Sequence, residues 1–282
     1  MKRALISFEG ESIWGVERGG VIELENGASL KESEAQFLPP INPSKIIATH
    51  LSYRSRCVEY KMKKLPAAPS YFVKPNNSIS YHRAPVARPR GCKYLNYEGE
   101  IAVVIGRRCL GATEKNALGF VAGYTIVNDW GVHDFRHADR GSMLRVKGQD
   151  GFCPAGPYIV DAADLDPTNL HIRTTVNGRI VQDDNTSGML FPFAYQIADL
   201  SRLLTLEPGD VILTGTPANS RPVEIGDVVA VAVDGIGTLE NTVVELDRDL
   251  EPIGDLPQVT AATLHVALTI PEDEAERLVN QQ

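Results

Sequence analysis

Apolar and polar positions along this chain alternate with a period of two far more often than they recur at helical spacing. Short alternating or wholly apolar runs predict strands over Arg3–Phe8, Gly15–Val16 and Val21–Glu23, then over Glu98–Ile105, Gly123–Val127 and Pro157–Val160. Ile172–Val176 and Arg179–Gln182 are joined by Asn177-Gly178, a dipeptide suited to the two-residue turn of a hairpin. Val211–Thr214, Val228–Val233 and Thr238–Glu245 complete the set. One helix stands out: Ala194, Ile197, Leu200, Leu203 and Leu204 fall on one face behind Pro192, and Pro208-Gly209 stops it. A shorter helix is expected over Glu114–Leu118, and Pro271-Glu272-Asp273-Glu274 reads as a helix start near the end. Strands outnumber helices and do not alternate with them, which argues against a parallel doubly wound sheet. The expected class is mainly β with α, an α+β chain.

Composition narrows the function more than the fold. The 282 residues are 43% hydrophobic and 23% charged, an ordinary globular balance that excludes a disordered chain. A net charge of -8 argues against nucleic acid or an anionic membrane surface as partner. No apolar run reaches the roughly 18 residues that a membrane span needs, and the first residues turn acidic before a signal-peptide core could form. Cys57, Cys92, Cys109 and Cys153 show no CxxC spacing, so free thiols in a cytoplasmic protein are expected. Leu38-Pro39-Pro40-Ile41-Asn42-Pro43 disfavours helix and marks a linker after a small N-terminal domain, residues 1–43.

Candidate chemistry begins with Glu98-Gly99-Glu100, at the start of an apolar strand. Residues two apart on a strand face the same way, so the two carboxylates repel unless a cation lies between them. By itself such a pair is more often a solvated strand end. Asp129, ending another apolar strand, adds a third carboxylate, and three carboxylates with open positions suit Mg2+ or Mn2+ better than Zn2+. The competing zinc pattern, His133-Asp134-Phe135-Arg136-His137, lacks the long helix and third ligand that it would need. His133-Asp134 reads as an oriented imidazole or as a simple surface pair. Lys147, in a glycine-containing polar passage, is a candidate to hold a substrate carboxylate or an enolate, or else a solvated lysine. Arg56, Lys74 and Gln149 are further substrate-binding candidates, and Thr214-Gly215-Thr216-Pro217 is a turn presenting backbone and hydroxyl donors.

Together, Phe72-Val73-Lys74-Pro75, YLNYEGEIAVVIG, GYTIVNDWGVHDF, KGQDGFCP, VNGRIVQ and LEPGDVILTGTP resemble the fumarylacetoacetate hydrolase family over about residues 45–246. The resemblance implies a mixed β-sandwich roll as catalytic domain over 44–247, leaving 248–282 as a tail, helical at its end. It implies a homodimer and a divalent metal, Mg2+ or Mn2+, on Glu98, Glu100 and Asp129. The implied substrate is a small 2-oxo acid or its enol, with Lys147 near the reacting centre and Thr216 on the substrate carboxylate. Two departures matter. Many C–C hydrolases of the family carry a His-x-x-Glu pair, but here Arg56 replaces that histidine while Glu59 is kept, and a guanidinium cannot act as a base near neutral pH. Arg136 stands where relatives often have glutamine, and His133 where they often have arginine. The two arginines suggest a second substrate carboxylate.

DWGVHDF and LRVKGQDG look most similar to the family's isomerase/decarboxylase group from aromatic catabolism. The expected chemistry is therefore a metal-stabilised enolate of a diacid, with Glu59, or His133 oriented by Asp134, moving the proton. The alternatives are an acylpyruvate or fumarylacetoacetate-type C–C hydrolase, and a catalytically silent metabolite binder.

Overall fold

A computed structural model describes residues 1–139 and 141–281. Its centre is a 12-stranded sheet, in which Lys2–Phe8, Cys153–Asp161, Val121–Asn128, Gly99–Ile105, Val211–Leu213, Ile46–His50 and Ser70–Lys74 lie side by side. A second sheet of five strands runs Arg179–Asn185, His171–Val176, Val228–Val233, Gly237–Glu245 and Val86–Arg88. The Asn177-Gly178 hairpin forms as its turn chemistry dictates, with Val176 opposite Arg179.

Gly99–Ile105 is buried at every position, because its two faces pack into different cores. Ile101, Val103 and Ile105 join Ile126, Ile172 and Val231 between the sheets. Ala102 and Val104 face the other way, into a core with Val127, Trp130 and Phe152. A strand covered on both sides reads as a continuous apolar run rather than as an alternation. Gly99 marks where the two sheets come closest. A Cβ there would lie 2.4 Å from Thr174 Oγ1 and 3.0 Å from Val231, so no larger residue fits between the two glutamates.

The N-terminal strands have a small core of their own, with Ile6, Ile22, Phe37 and Tyr158, yet Lys2–Phe8 pairs directly with Cys153–Asp161. The main helix spans Phe193–Ser201, with Pro192 just before it. The helix expected over Glu114–Leu118 is instead a 3-10 turn at Ala117–Phe120, capped by no side-chain hydrogen bond. Helices of four to six residues at Arg54–Glu59, Arg136–Asp139 and Leu144–Lys147 were not anticipated, being too short for a periodic pattern. Beyond the strands, two helices, Ala261–Leu268 and Glu272–Val279, close the chain. All four cysteines are free and buried. No helix of the described residues is long and apolar enough to cross a membrane.

Candidate active site

Two neighbouring strands deliver the acids. Gly99 pairs with Asn128, so Glu98 before one strand and Asp129 after the other leave the ladder together, with Glu100 one step inside. Asn128 locks this exit: its Oδ1 accepts from Glu98 N at 2.8 Å, while Asp129 N donates to Glu98 O at 2.8 Å. Glu98, Glu100 and Asp129 each offer a carboxylate oxygen, all within 4.8 Å of one another. They are the one such group of possible metal ligands among the described residues. His133 and His137 are not part of it, as the short Arg136–Asp139 helix cannot set them on one face.

Buried cations brace the acids. Lys147 Nζ donates to Glu98 Oε2 at 2.5 Å, Asp129 Oδ2 at 2.6 Å and Asp129 O at 2.8 Å. Lys74 Nζ donates to the other oxygen of Asp129 at 2.5 Å and to the carbonyls of Lys147 and Phe152. Lys74 is thus enclosed behind the acids and, unlike Lys147, does not line the cavity, so it supports Asp129 instead of meeting a substrate. The third acid is held by a backbone donor. Gly215, at φ +96° in the Thr214–Pro217 turn, points its N–H at Glu100 Oε2, 2.7 Å away.

Burial works to raise the pKa of Glu98 and of Glu100, and neighbouring charge then decides the outcome. For Glu98 the adjacent Lys147 and Arg56 outweigh burial and hold it below the usual range. Glu100 is pushed well above it, by burial first and then by the Asp129 and Glu98 charges. A divalent cation would relieve that repulsion, and an all-carboxylate donor set fits a hard ion. Lys147 stays charged: burial works against it, but Asp129 and Glu98 raise its pKa.

Above the acids opens a cavity of about 720 Å³, lined among others by Arg56, Tyr60, His133, Arg136, Lys147 and Thr216. Arg136 makes no ion pair with any described residue, and its Nη1 rests on Met143 Sδ at 3.1 Å. Thr216 Oγ1 accepts from the buried Gln182 Nε2 at 3.0 Å, and Gln182 also accepts from Gly99 N at 3.3 Å. Gln182 therefore ties the turn to the acid-bearing strand. Its place at the end of the hairpin run gave no sign of this.

Three expected contacts do not form. Asp134 does not orient His133: its carboxylate accepts from the backbone N–H of Lys93 and Tyr94, at 3.0 and 2.9 Å. His133 is buried at the cavity wall with both ring nitrogens unpartnered among the described residues, and burial together with Arg136 and Lys147 keeps it neutral. Glu59 does not line the cavity. It is taken up by Arg56 at 2.8 Å and Arg221 at 2.6 Å. Gln149 also lies outside, donating to Arg145 O at 2.7 Å. Tyr60 went unnoticed in the sequence, although it stands four residues after Arg56 and so shares its side, with the guanidinium 5.0 Å from the ring centre.

Known proteins resemble this chain in sequence and in fold. Residues 45–244 match the model of the fumarylacetoacetate (FAA) hydrolase C-terminal family. A 4-hydroxyphenylacetate degradation bifunctional isomerase/decarboxylase of Salmonella dublin is 36% identical over 230 residues, 80% of this chain and 53% of that protein, so the chain spans about half of it. The crystal structure of 5-carboxymethyl-2-hydroxymuconate delta-isomerase from Mycobacterium smegmatis superposes with a TM-score of 0.80 at 38% identity, covering 88% of this chain and all of that one. A maleylpyruvate hydrolase from Sphingobium, solved with manganese(II) and pyruvate, gives 0.74 at 26% identity over 87% of this chain and 99% of its own. With the match spanning both acid-bearing strands and the turn that holds Glu100, the chain belongs to the fumarylacetoacetate hydrolase family.

Proposed function

We propose that this protein is a divalent-metal-dependent isomerase/decarboxylase acting on a 2-oxo diacid, or its enol, through an enolate. The observation that carries this reading is the pairing of the acid cluster with Arg136, a cavity-lining cation that has no acidic partner among the described residues. An acid floor for a cation at one end and an open guanidinium further up suit a ligand with the 2-oxo acid at one end and a carboxylate at the other. When bound by Glu98, Glu100 and Asp129, Mg2+ or Mn2+ supplies Lewis acidity toward the 2-oxo acid oxygens.

The remaining work falls to side chains. Lys147 places an ammonium beside the reacting end, where negative charge grows as an enolate forms. Thr216 offers its hydroxyl to the adjoining carboxylate, and Arg136 holds the distal one. Arg56 and Arg221 both hold the Glu59 carboxylate, which is therefore not free to activate water. Loss of CO2 and double-bond shifts need no attacking water. The printed names of two relatives, the isomerase/decarboxylase and the delta-isomerase, support the same chemistry.

The hydrolase alternative draws on the maleylpyruvate hydrolase neighbour. A panel of oxaloacetate, acylpyruvates and unsaturated 2-oxo diacids, assayed with Mg2+ and Mn2+, decides between them. Release of CO2 or a shifted enol absorbance without a cleaved acid is the expected result. A cleaved acid as the main product would favour the hydrolase, and no turnover at all would favour a silent binder.

A further inference from the structure

Two C-terminal helices, beyond the residues that the family model matches, help to wall the cavity. A capping box starts the first, with Thr260 Oγ1 accepting from Thr263 N and Thr263 Oγ1 from Thr260 N, each at 3.2 Å. Leu264, Ala267 and Ala275 are buried beneath the pair. Asn96, two residues before Glu98, donates from Nδ2 to Ala267 O at 2.9 Å, and Gln258 N donates to Asp134 O at 2.9 Å. Thr269 Oγ1 accepts from Arg221 at 3.1 Å and more distantly from Arg56. The hairpin is thus anchored to the segments that carry the site.

Its imidazole, His265, lines the cavity in a fixed tautomer. Thr269 adopts a left-handed conformation, φ 54°, and the chain turns back so that Ile270 O lies 2.6 Å from His265 Nδ1. A carbonyl only accepts, so Nδ1 carries the hydrogen and Nε2 the lone pair of the neutral ring. Nε2 has no hydrogen-bond partner among the described residues, and the ring leans on Tyr60 with 5.6 Å between centroids.

Of the other proton carriers that line the cavity, Glu272 and Glu276 are solvent-exposed on the second helix, and those deeper in are committed. Glu98 is ion-paired to Lys147, and Glu100 and Asp129 belong to the metal floor. His50 stacks on Phe72, and burial with the nearby Lys147 lowers its pKa to about 4. His133 is also held well below its ordinary range, by burial and then by Arg136 and Lys147, and burial keeps the Tyr60 hydroxyl protonated.

We infer that His265, carried in by the C-terminal hairpin, is the catalytic residue that moves the proton, accepting it at Nε2 from C3 of the bound 2-oxo acid. This rests on the enolate reading given above. In the step, the C3–H bond breaks and its electron pair forms C2=C3, while the carbonyl π pair moves onto oxygen. The proton on Nε2 is then returned to a carbon of the same ligand, so no oxidant or co-reactant is needed.

The test uses the full chain with Mg2+ and follows exchange of the C3 protons of oxaloacetate and 2-oxoglutarate in D2O by NMR. Binding of oxalate, which resembles the enolate but cannot enolise, is measured in parallel. Exchange of neither acid by the unmodified chain would remove the enolate reading, and this inference with it. Given exchange, His265→Gln should slow it about 100-fold or more while oxalate affinity stays within about threefold. A loss smaller than about tenfold, or one matched by lost oxalate binding, would overturn the role of His265 while leaving the enolate reading intact.

Discussion

Glu98, Glu100 and Asp129 leave adjacent antiparallel strands in the middle of the large sheet, whereas Arg56, Tyr60 and His265 ride on or beside helices of six and eight residues. The acids are fixed by ladder pairing, by Asn128 and by two enclosed lysines. The opposite wall is fixed by a few bonds to Asn96, Arg221 and Arg56. The difference separates two tasks. A site that must hold three like charges within 4.8 Å needs a stiff frame, while the wall that would meet the rest of a ligand is held by fewer bonds and can adjust more easily.

The severest challenge to the rigid side is removal of its cation. Chelation should abolish turnover, and Mg2+ or Mn2+ should restore it. Glu100→Ala should lose both metal binding, by calorimetry, and activity. Full activity in a metal-free sample would show that the acid cluster has another purpose. Next comes Lys147→Met, which keeps much of the volume and removes the charge. It should lower kcat on the order of 100- to 1,000-fold with little change in ground-state binding. A near-normal kcat would mean that Lys147 only braces Glu98 and Asp129.

On the adaptable side, Arg136→Ala should weaken binding of diacids by about 1.5–3 kcal/mol, seen in KM, and affect monoacids much less. Equal effects on both would mean that Arg136 does not meet a distal carboxylate. The smallest change is expected for Thr260→Ala. Loss of the cap should destabilise the first C-terminal helix by about 1 kcal/mol, read as faster amide exchange over residues 260–268, with metal affinity unchanged.

The same contrast explains what the sequence disclosed. Gly99–Ile105 and Val121–Asn128 were legible because an apolar run bounded by acids can hardly be anything but a buried strand ending at a polar site. The Asn177-Gly178 hairpin was legible from its turn alone. Arg54–Glu59 and Leu144–Lys147 were not, since helices of six and four residues take their stability from tertiary contacts rather than from any periodic stripe. The proline and acids before Glu272–Val279 announced that helix, but nothing showed that its neighbour would turn His265 toward residues some 200 positions earlier. Lys74 misled in the opposite sense: it read as a substrate-binding candidate, because residue type alone does not show that three protein acceptors enclose its ammonium.

The pairing of Lys2–Phe8 with Cys153–Asp161 bears on how the molecule is made. On a ribosome adding about 5–20 residues per second, the first strand waits roughly 8–30 s for its partner to be synthesised. During that interval it can pair only with its local neighbours, Glu11–Arg18 and Gln36–Leu38, so the N-terminal hairpins must shield the nascent chain until the central strands arrive. The helices that bring His265 emerge only after the strands of both sheets. The order of synthesis therefore completes the acid-bearing frame before the wall that closes over it.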